Sequence, residues 1–297
     1  MSTRPFTVVT GATTGIGLET ARALARSGHH VLLHGRTLEK AATAVEALLR
    51  ENPAAALTPV AADLADRAAV RALAQSIHHH APALRALVNN AGVWNSHQVL
   101  TEEGIEQTFA VNHLAYFQLS SLLLPLLRKD PESRIICVAS DSHKQVKGMD
   151  FDNLNLDGRY HGLRSYAQSK LANVLFVYEY ERRRCPGDPA IAAVQPGLVQ
   201  TDIGLKGNTW LHRLAWKVRR QMSGHKTPAE GARTSIHLAE RDGIGMDGPS
   251  GLYWDNCAPK RSYGASYDEA AARQLWQLSE TLLGHPFFPP PDRNAVQ

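Results

Sequence analysis

The residues best suited to chemistry are a tyrosine and a lysine four positions apart, Tyr166 and Lys170. On a helix, positions i and i+4 share one face, so the phenol and the amine can meet one ligand together. A phenol ordinarily keeps its proton until about pH 10, and a neighbouring cation lowers its pKa. The pair therefore predicts proton transfer near neutral pH. A helix with a half-buried tyrosine and a solvated lysine is the alternative.

A glycine-rich turn near the N-terminus predicts a pyrophosphate site. Residues 6–10 have the composition of a buried strand, and a helical pattern follows the turn. Glycines permit the tight turn and let backbone N–H groups approach a phosphate at the helix N-terminus. A tight turn without a ligand is the alternative. The residues predicted to contact the dinucleotide here are Gly11, Thr13, Thr14, Gly15, Ile16 and Gly17.

The end of the second predicted strand, residues 30–34, distinguishes the two nicotinamide dinucleotides. In a dinucleotide-binding fold an acidic residue here holds the 2′-hydroxyl of NAD, whereas an arginine accommodates the 2′-phosphate of NADP. Arg36 and Thr37 occupy this position with no acid beside them. A guanidinium matches a phosphate in charge and geometry, so NADP(H) is predicted and NAD is disfavoured.

Strand and helix patterns alternate along the chain, which predicts an α/β fold with one doubly wound parallel β-sheet flanked by helices. Open sheets of this kind bind ligands beyond the carboxyl ends of their strands. Plain turns would use the same small and polar residues. The candidates at these ends are Asp63 and Leu64 after the third strand, Asn90, Ala91 and Gly92 after the fourth, and Ser140 after the fifth.

The order and spacing of Asn90-Ala91-Gly92, Ser140 and Tyr166-x-x-x-Lys170 resemble the short-chain dehydrogenase/reductase family over nearly the whole chain. Residues 134–143, Arg-Ile-Ile-Cys-Val-Ala-Ser-Asp-Ser-His, are similar to the Arg-Ile-Val-x-Val-Ser-Ser-x-x-His of its retinol-dehydrogenase-like branch. Ala139 departs from that pattern, but Ser140 corresponds to the catalytic serine. Further similar segments are residues 151–154, 169–173, 226–232, 251–255 and 273–276.

The resemblance implies a single Rossmann-type NAD(P)-binding domain over residues 1–297, with about seven strands. It also implies a small substrate lid at about residues 204–226, which contains Trp210 and Trp216, and a C-terminal tail over residues 285–297. Basic residues interrupt the lid, so an amphipathic helix is expected there, with Trp210 and Trp216 facing the pocket. Packing of these aromatics on the body is the alternative, and peripheral membrane contact is a further, less favoured one.

Catalytic roles follow from the same resemblance, which implies hydride transfer between a nicotinamide and a carbonyl or carbinol carbon. Tyr166 would be the acid or base, Lys170 would lower its pKa and bind the nicotinamide ribose, and Ser140 would hold the substrate oxygen. Asn112 would anchor a water that links Lys170 to solvent. The loop predicted to cover the nicotinamide contains Pro196, Gly197, Val199 and Thr201.

Other functions fit parts of this pattern. A catalytically silent NADP(H)-sensing regulatory protein could keep the fold without the chemistry, and a related enzyme could reduce an activated C=C bond. Intact Ser140, Tyr166 and Lys170 argue against a sensor. Ser140 and His143 could be a nucleophile and base of a hydrolase, but no Gly-x-Ser-x-Gly motif surrounds Ser140. His143 is instead expected at the substrate entrance.

Composition restricts the partners and the compartment. The net charge is +4 over 297 residues, and dispersed Lys and Arg argue against nucleic-acid binding. Cys137, Cys185 and Cys257 are odd in number and far apart, which favours a reducing, cytoplasmic compartment. No metal site, signal peptide or apolar run of about 18 residues for a transmembrane segment is expected. The family resemblance, rather than composition, implies a small apolar carbonyl or alcohol substrate, and it is compatible with a homodimer, although the sequence leaves the oligomeric state open.

Overall fold

An eight-stranded sheet runs through the computed structural model, which describes residues 4–197, 199, 226–243, 245 and 248–288. The strands are β1 (Phe6–Val9), β2 (His30–Gly35), β3 (Ala56–Ala61), β4 (Ala86–Asn89), β5 (Arg134–Val138), β6 (Ala190–Gln195), β7 (Leu252–Asp255) and β8 (Ala258–Pro259). Their order is β3-β2-β1-β4-β5-β6-β7-β8. The first seven are parallel, as predicted, and β8 adds a two-residue antiparallel edge that the sequence did not predict.

Helices cover both faces of the sheet, which explains the continuous apolar runs of its strands. They are α1 (Gly15–Arg26), α2 (Leu38–Glu51), α3 (Arg67–His80), α4 (Gln107–Phe109), α5 (Ala115–Leu127), α6 (Gly162–Arg183), α7 (Pro228–Glu240) and α8 (Glu269–Leu283). On β2, Leu32 packs into the core cluster that contains residues of α3, α5 and α6. Val31 and Leu33 pack into the cluster on the opposite face, with residues of α1, α2 and α7. The strand ends are thereby fixed at one edge of the sheet.

The helical stretch Gln107–Leu127 is an apolar run of the length that was not expected from the sequence. It is long and apolar enough to cross a membrane by length and composition, although 89% of the relevant window is buried inside the protein. Leu123 and Leu124 are fully buried against the sheet. This burial is that of a core helix, and the apolar composition reflects contact with other parts of the chain.

The first residues of the predicted tail pack on the body. Phe287 is fully buried, and its ring lies 4.9 Å from the rings of Phe117 and Trp276. Ser121 Oγ donates a hydrogen bond to the Phe287 carbonyl at 2.7 Å. Residues 289–297 of the tail and residues 204–225 of the predicted lid, including Trp210 and Trp216, lie outside the described residues.

Candidate active site

Tyr166 and Lys170 lie one helical turn apart on α6, beside the end of β5. Lys170 is 2% exposed, and its Nζ donates a hydrogen bond to the Val138 carbonyl at 2.8 Å. The same Nζ lies 5.6 Å from the centre of the Tyr166 ring. Tyr166 is half-buried. The helix therefore places the phenol and the amine on a common face, with the amine held from beneath by the strand end.

The pKa values of this pair differ from the expectation. Burial raises the pKa of Tyr166 to about 12, while hydrogen bonding to the Ser140 side chain acts in the opposite direction. Burial lowers the pKa of Lys170 to about 7. Burial disfavours the charged form of both groups, so in this structure Lys170 does not give the phenol a depressed pKa. Near neutral pH the phenol is protonated, and the amine loses its proton more readily than an exposed lysine does.

Ser140 directly follows the end of β5 and begins the 3₁₀ helix Asp141–Gln145. Its hydroxyl accepts a hydrogen bond from the Ser142 N–H at 3.2 Å and donates to Ser142 Oγ at 3.2 Å. The Ser140 side chain lies near the phenol of Tyr166, where it opposes the rise in pKa that burial causes. The two groups can therefore contact one substrate oxygen from adjacent positions.

His143 is fully buried, so the expectation that it borders a substrate entrance is wrong. Its Nδ1 donates to the Ser140 carbonyl at 2.6 Å, and its Nε2 accepts from the Tyr263 N–H at 3.1 Å. Burial lowers the pKa of His143. Because neither ring nitrogen is directed to the Ser140 hydroxyl, the hydrolase arrangement of nucleophile and base is not formed.

Asn112 connects the loop after β4 to α6. It is fully buried within a π-helical turn, Ala110–Leu114, a geometry that often occurs at functional sites. Its Oδ1 accepts from the Val93 N–H at 2.8 Å, and its Nδ2 donates to the Val93 carbonyl and to Ser169 Oγ, both at 3.0 Å. One amide hydrogen is thus engaged by the Val93 carbonyl and the other by Ser169, the residue before Lys170, so neither is free to anchor the expected water.

The glycine turn after β1 is packed closely against the end of β4. Gly11 has φ +62°, and a Cβ there would lie 2.8 Å from Ala91 Cα. A Cβ on Gly17 would collide with the amide nitrogen of Asn90. That amide donates to the Thr10 carbonyl at 2.8 Å and to the Gly11 carbonyl at 3.3 Å. Only glycine fits at these positions without displacing the strand end.

The first turn of α1 fits the phosphates of a dinucleotide. Its N-cap residue Thr14 makes no side-chain capping hydrogen bond, and Gly15 has φ +61°. The N–H groups of an uncapped first turn suit an anion. Ile16, in the same turn, lies near Gly231 of α7, and Thr13 packs near Gly35.

The residues that are predicted to contact the adenosine half of the dinucleotide lie at the ends of β2 and β3. Arg36 is exposed and has no ion-pair or hydrogen-bond partner within the described ranges. Thr37 caps α2, accepting from the Lys40 N–H at 3.4 Å. After β3, Asp63 Oδ1 accepts from the Ala65 N–H at 3.0 Å, whereas Leu64 is 7% exposed. The Arg36 guanidinium is therefore available to a phosphate, as the motif predicts.

The loop after β6 passes over α1 and α7. Gly197, after Pro196, has φ +87°, and a Cβ there would lie 2.9 Å from the Lys226 side chain. Val199 pairs with Lys226, and its Cγ2 would lie 2.6 Å from a Cβ on Gly231. This contact places Val199 beside the first turn of α1. Thr201 lies outside the described residues.

His34 is a residue of this edge that the sequence reasoning missed. Its Nδ1 accepts from the Gly11 N–H at 3.1 Å, so its Nε2 donates to the Ala62 carbonyl at 3.1 Å. Burial lowers the pKa of His34 to about 4, which keeps the ring neutral. The sequence feature that could have identified His34 is its position as a polar residue at the end of the otherwise apolar run of β2. The ring fixes the glycine turn relative to the end of β3.

Glu106 is the second missed residue, and it is fully buried. Its Oε1 accepts from the hydroxyls of Thr108 at 2.8 Å and Tyr160 at 3.1 Å. Its Oε2 accepts from the Phe109 N–H at 2.9 Å and the Ser165 hydroxyl at 2.8 Å. No cation pairs with it among the residues described. This carboxylate joins the start of α4 to the residue immediately before Tyr166.

Sequence comparisons agree with this geometry. The short chain dehydrogenase family model matches residues 5–211. Human retinol dehydrogenase 14 is 35% identical over 296 residues, covering 93% of this chain and 85% of its own. Human retinol dehydrogenase 13 is 36% identical over 287 residues, covering 93% and 84% respectively.

Solved structures show the same fold. A protein from Mycobacterium paratuberculosis has a TM-score of 0.73 at 29% identity, over 95% of this chain and 94% of its own. Carbonyl reductase from chicken fatty liver, bound to NADPH, has a TM-score of 0.66 at 21% identity, over 88% and 100%. The second likeness shows the fold alone. With the family match over more than half its length, this chain belongs to the short-chain dehydrogenase/reductase family, in the retinol-dehydrogenase-like branch.

Proposed function

We propose that the protein is an NADP(H)-dependent oxidoreductase that acts on the carbonyl or carbinol carbon of an aldehyde, ketone or alcohol with an apolar body. The observation that carries the proposal is the position of Tyr166 one helical turn from the buried Lys170, whose amine is bonded to the end of the strand that Ser140 follows. Two hydroxyls directed at one oxygen are what carbonyl reduction requires. Bound NADPH would supply the hydride.

In the reductive direction, Ser140 holds the substrate oxygen and Tyr166 donates a proton to it. Because burial raises the pKa of Tyr166 to about 12, the phenol carries its proton at neutral pH and has it available for the carbonyl oxygen. As negative charge develops, the Ser140 hydroxyl stabilises it by hydrogen bonding. Lys170 Nζ lies 5.6 Å from the centre of the Tyr166 ring, and in its protonated form the amine would stabilise the phenolate that remains.

Arg36 supports NADP(H) over NAD in this proposal. The guanidinium is exposed at the end of β2 and suits the 2′-phosphate. Carbonyl reductase from chicken and a short chain dehydrogenase from Escherichia coli CFT073 were both solved with NADPH. The remaining candidate contacts are the turn of residues 11–17, the strand ends at residues 63–64 and 90–92, and the loop of residues 196–201.

An NADPH oxidation assay over a panel of aldehydes and ketones tests the proposal. Tyr166→Phe removes the proton donor, so the turnover number is expected to fall by about 10²–10⁴-fold. Tyr263→Phe is the matched control, since this phenol is 45% exposed and no hydrogen bond of its hydroxyl is found among the described residues. Full turnover by Tyr166→Phe would exclude the mechanism. Product analysis separates C=O from C=C reduction, and tight NADPH binding without any turnover would favour the sensor.

The proposal includes one dinucleotide-binding domain over the chain, working in the cytoplasm. Cys137, Cys185 and Cys257 are all free thiols, which suits a reducing compartment. Asn112 is included as a residue that positions α6 beside Lys170, through its bond to Ser169.

A further inference from the structure

A cavity of ≈ 930 Å³ lies between the chain segment after Ser140 and the first turn of α6. Its wall contains residues 145–150 on one side and residues 159, 161, 163 and 164 on the other. Leu163 stands three residues before Tyr166 on α6, so the two side chains share a helix face about 4.5 Å apart along the axis. The opposite wall begins where the 3₁₀ helix that starts after Ser140 ends. The cavity wall therefore comes within one helical turn of Tyr166 along α6 and begins five residues after Ser140 along the chain.

The cavity wall carries an excess of positive charge. Its basic members are Lys147, Arg159, His161 and Arg164, and its one carboxylate is Asp150. Nη2 atoms of Arg159 and Arg164 both lie against Asp150 Oδ2, at 3.4 and 2.9 Å. Counting Lys147, Arg159 and Arg164 against Asp150, three cations face one anion, which leaves two positive charges uncompensated.

The donors in this wall are only partly used. Arg159 and Arg164 each direct one nitrogen at Asp150, although a guanidinium has five N–H donors in a planar fork. The side chains of Lys147 and His161 have no hydrogen-bond or ion-pair partner within the described part of the chain. A forked donor beside a point charge matches a carboxylate or a phosphate monoester.

We propose that this cavity binds an anionic group, a carboxylate or a phosphate monoester, at the end of the substrate remote from its carbonyl. The proposal rests on the proposed function and narrows its substrate class to amphiphilic oxo acids or oxo phosphates. The apolar body would lie along Leu163, which is 47% exposed at the cavity wall. A solvated basic surface with no ligand is the competing interpretation.

The test uses ω-oxo carboxylic acids of increasing chain length, each compared with its methyl ester and with the matching phosphate monoester. Wild-type enzyme with NADPH is expected to prefer the acid over the ester by about tenfold in kcat/KM at low salt, mainly through KM, which corresponds to about 1.4 kcal/mol. The preference should shrink as salt rises, because these charges are partly exposed. Comparing acid with phosphate identifies the anion.

The double variant Lys147→Gln/Arg164→Gln removes both unbalanced charges, so its acid-to-ester preference is expected to fall to about one while ester turnover persists. The matched control is Lys129→Gln/Arg71→Gln, which removes the same charge from exposed positions outside the cavity wall. Equal kcat/KM for acid and ester in wild type, or a preference that survives in the cavity variant, would overturn the inference.

Failure of the proposed function has a different signature. In that case no carbonyl compound, ester included, would be turned over. Calorimetric titration of the NADPH complex with a saturated alkanoate then decides the cavity proposal alone. Binding that weakens in the cavity variant but not in the control supports an anion site, and no binding by the wild type refutes it.

Discussion

Glu106→Ala is expected to destabilise the fold strongly and to slow turnover, because four donors converge on one buried carboxylate. The donors are the Phe109 N–H and the hydroxyls of Thr108, Tyr160 and Ser165, at 2.8–3.1 Å. Alanine leaves all four without this acceptor. Tyr160 retains a second acceptor, the Asn95 carbonyl at 3.2 Å, so its loss is the smallest.

The magnitude follows from the number of donors left without a partner. A buried donor without a partner costs about 1–3 kcal/mol, and small hydroxyls recover part of this by turning to other acceptors. Counting the Phe109 N–H and the Ser165 hydroxyl in full and the other two in part gives a loss of about 3–5 kcal/mol. Glu106→Gln keeps one acceptor oxygen and lets hydroxyls reverse direction, so its loss is expected to be about 1–2 kcal/mol.

Urea unfolding measures these losses through the transition midpoint, provided that the slope is unchanged. Turnover is measured on the folded fraction of the same variants. Because Ser165 directly precedes Tyr166, Ser165→Ala is expected to lower the turnover number, whereas Tyr160→Phe removes a donor from the same carboxylate without touching α6. If the Ala and Gln variants unfold at the wild-type urea concentration, the carboxylate network does not stabilise this fold.

Three further predictions concern the cofactor edge and pH. Arg36→Asp is expected to raise the KM for NADPH at least about tenfold while sparing the KM for NADH, because an anion replaces the cation proposed to face the 2′-phosphate. An unchanged ratio of the two KM values would contradict the proposed preference for NADP(H), and Arg71→Asp is the control. Gly17→Ala is expected to abolish NADPH binding in a fluorescence titration, since its Cβ would displace the Asn90 amide, whereas Gly264→Ala, which has open space, should bind normally. Burial lowers the pKa of His34 from 6.5 to about 4, so between these two pH values the unfolded chain binds more protons than the folded protein. The free energy of unfolding is therefore expected to fall as the pH drops from 6.5 to 4, by on the order of 3 kcal/mol. A similar pH dependence of stability in His34→Asn would show that other groups cause the fall.

The sheet was predictable because each strand is a short apolar run followed by a turn and an amphipathic helix. The positions of Arg36 and of the glycine turn at strand ends could also be predicted, since they follow from where the strands stop. Glu106 was not, because its partners Tyr160 and Ser165 lie more than fifty residues further along the chain. The local sequence around Glu106 does not indicate which distant residues hydrogen-bond to its carboxylate.

The pKa values at the site were also beyond the sequence. The spacing of Tyr166 and Lys170 predicts proximity, but the effect of that proximity depends on the depth of burial. Here burial raises the pKa of Tyr166 and lowers that of Lys170. The same Tyr-x-x-x-Lys motif can lie on a buried helix or on a helix with a solvent-exposed face, and only tertiary contacts determine which of the two forms and therefore the direction of the pKa shifts.

The bonds of Asn112 have a consequence for how this enzyme can change over evolutionary time. Its side-chain amide hydrogen-bonds both Val93 and Ser169, and so connects the loop after β4 to α6 next to the proposed catalytic residues. The wall of the neighbouring cavity, in contrast, comes mainly from residues 145–150, 159 and 161, which precede α6, and only residues 163 and 164 belong to the first turn of that helix. Substitutions at those wall positions leave the connection between that loop and α6 intact. If the cavity selects the substrate as proposed, a change of substrate is expected to arise by substitution at its wall, without altering the hydrogen bonds of Asn112.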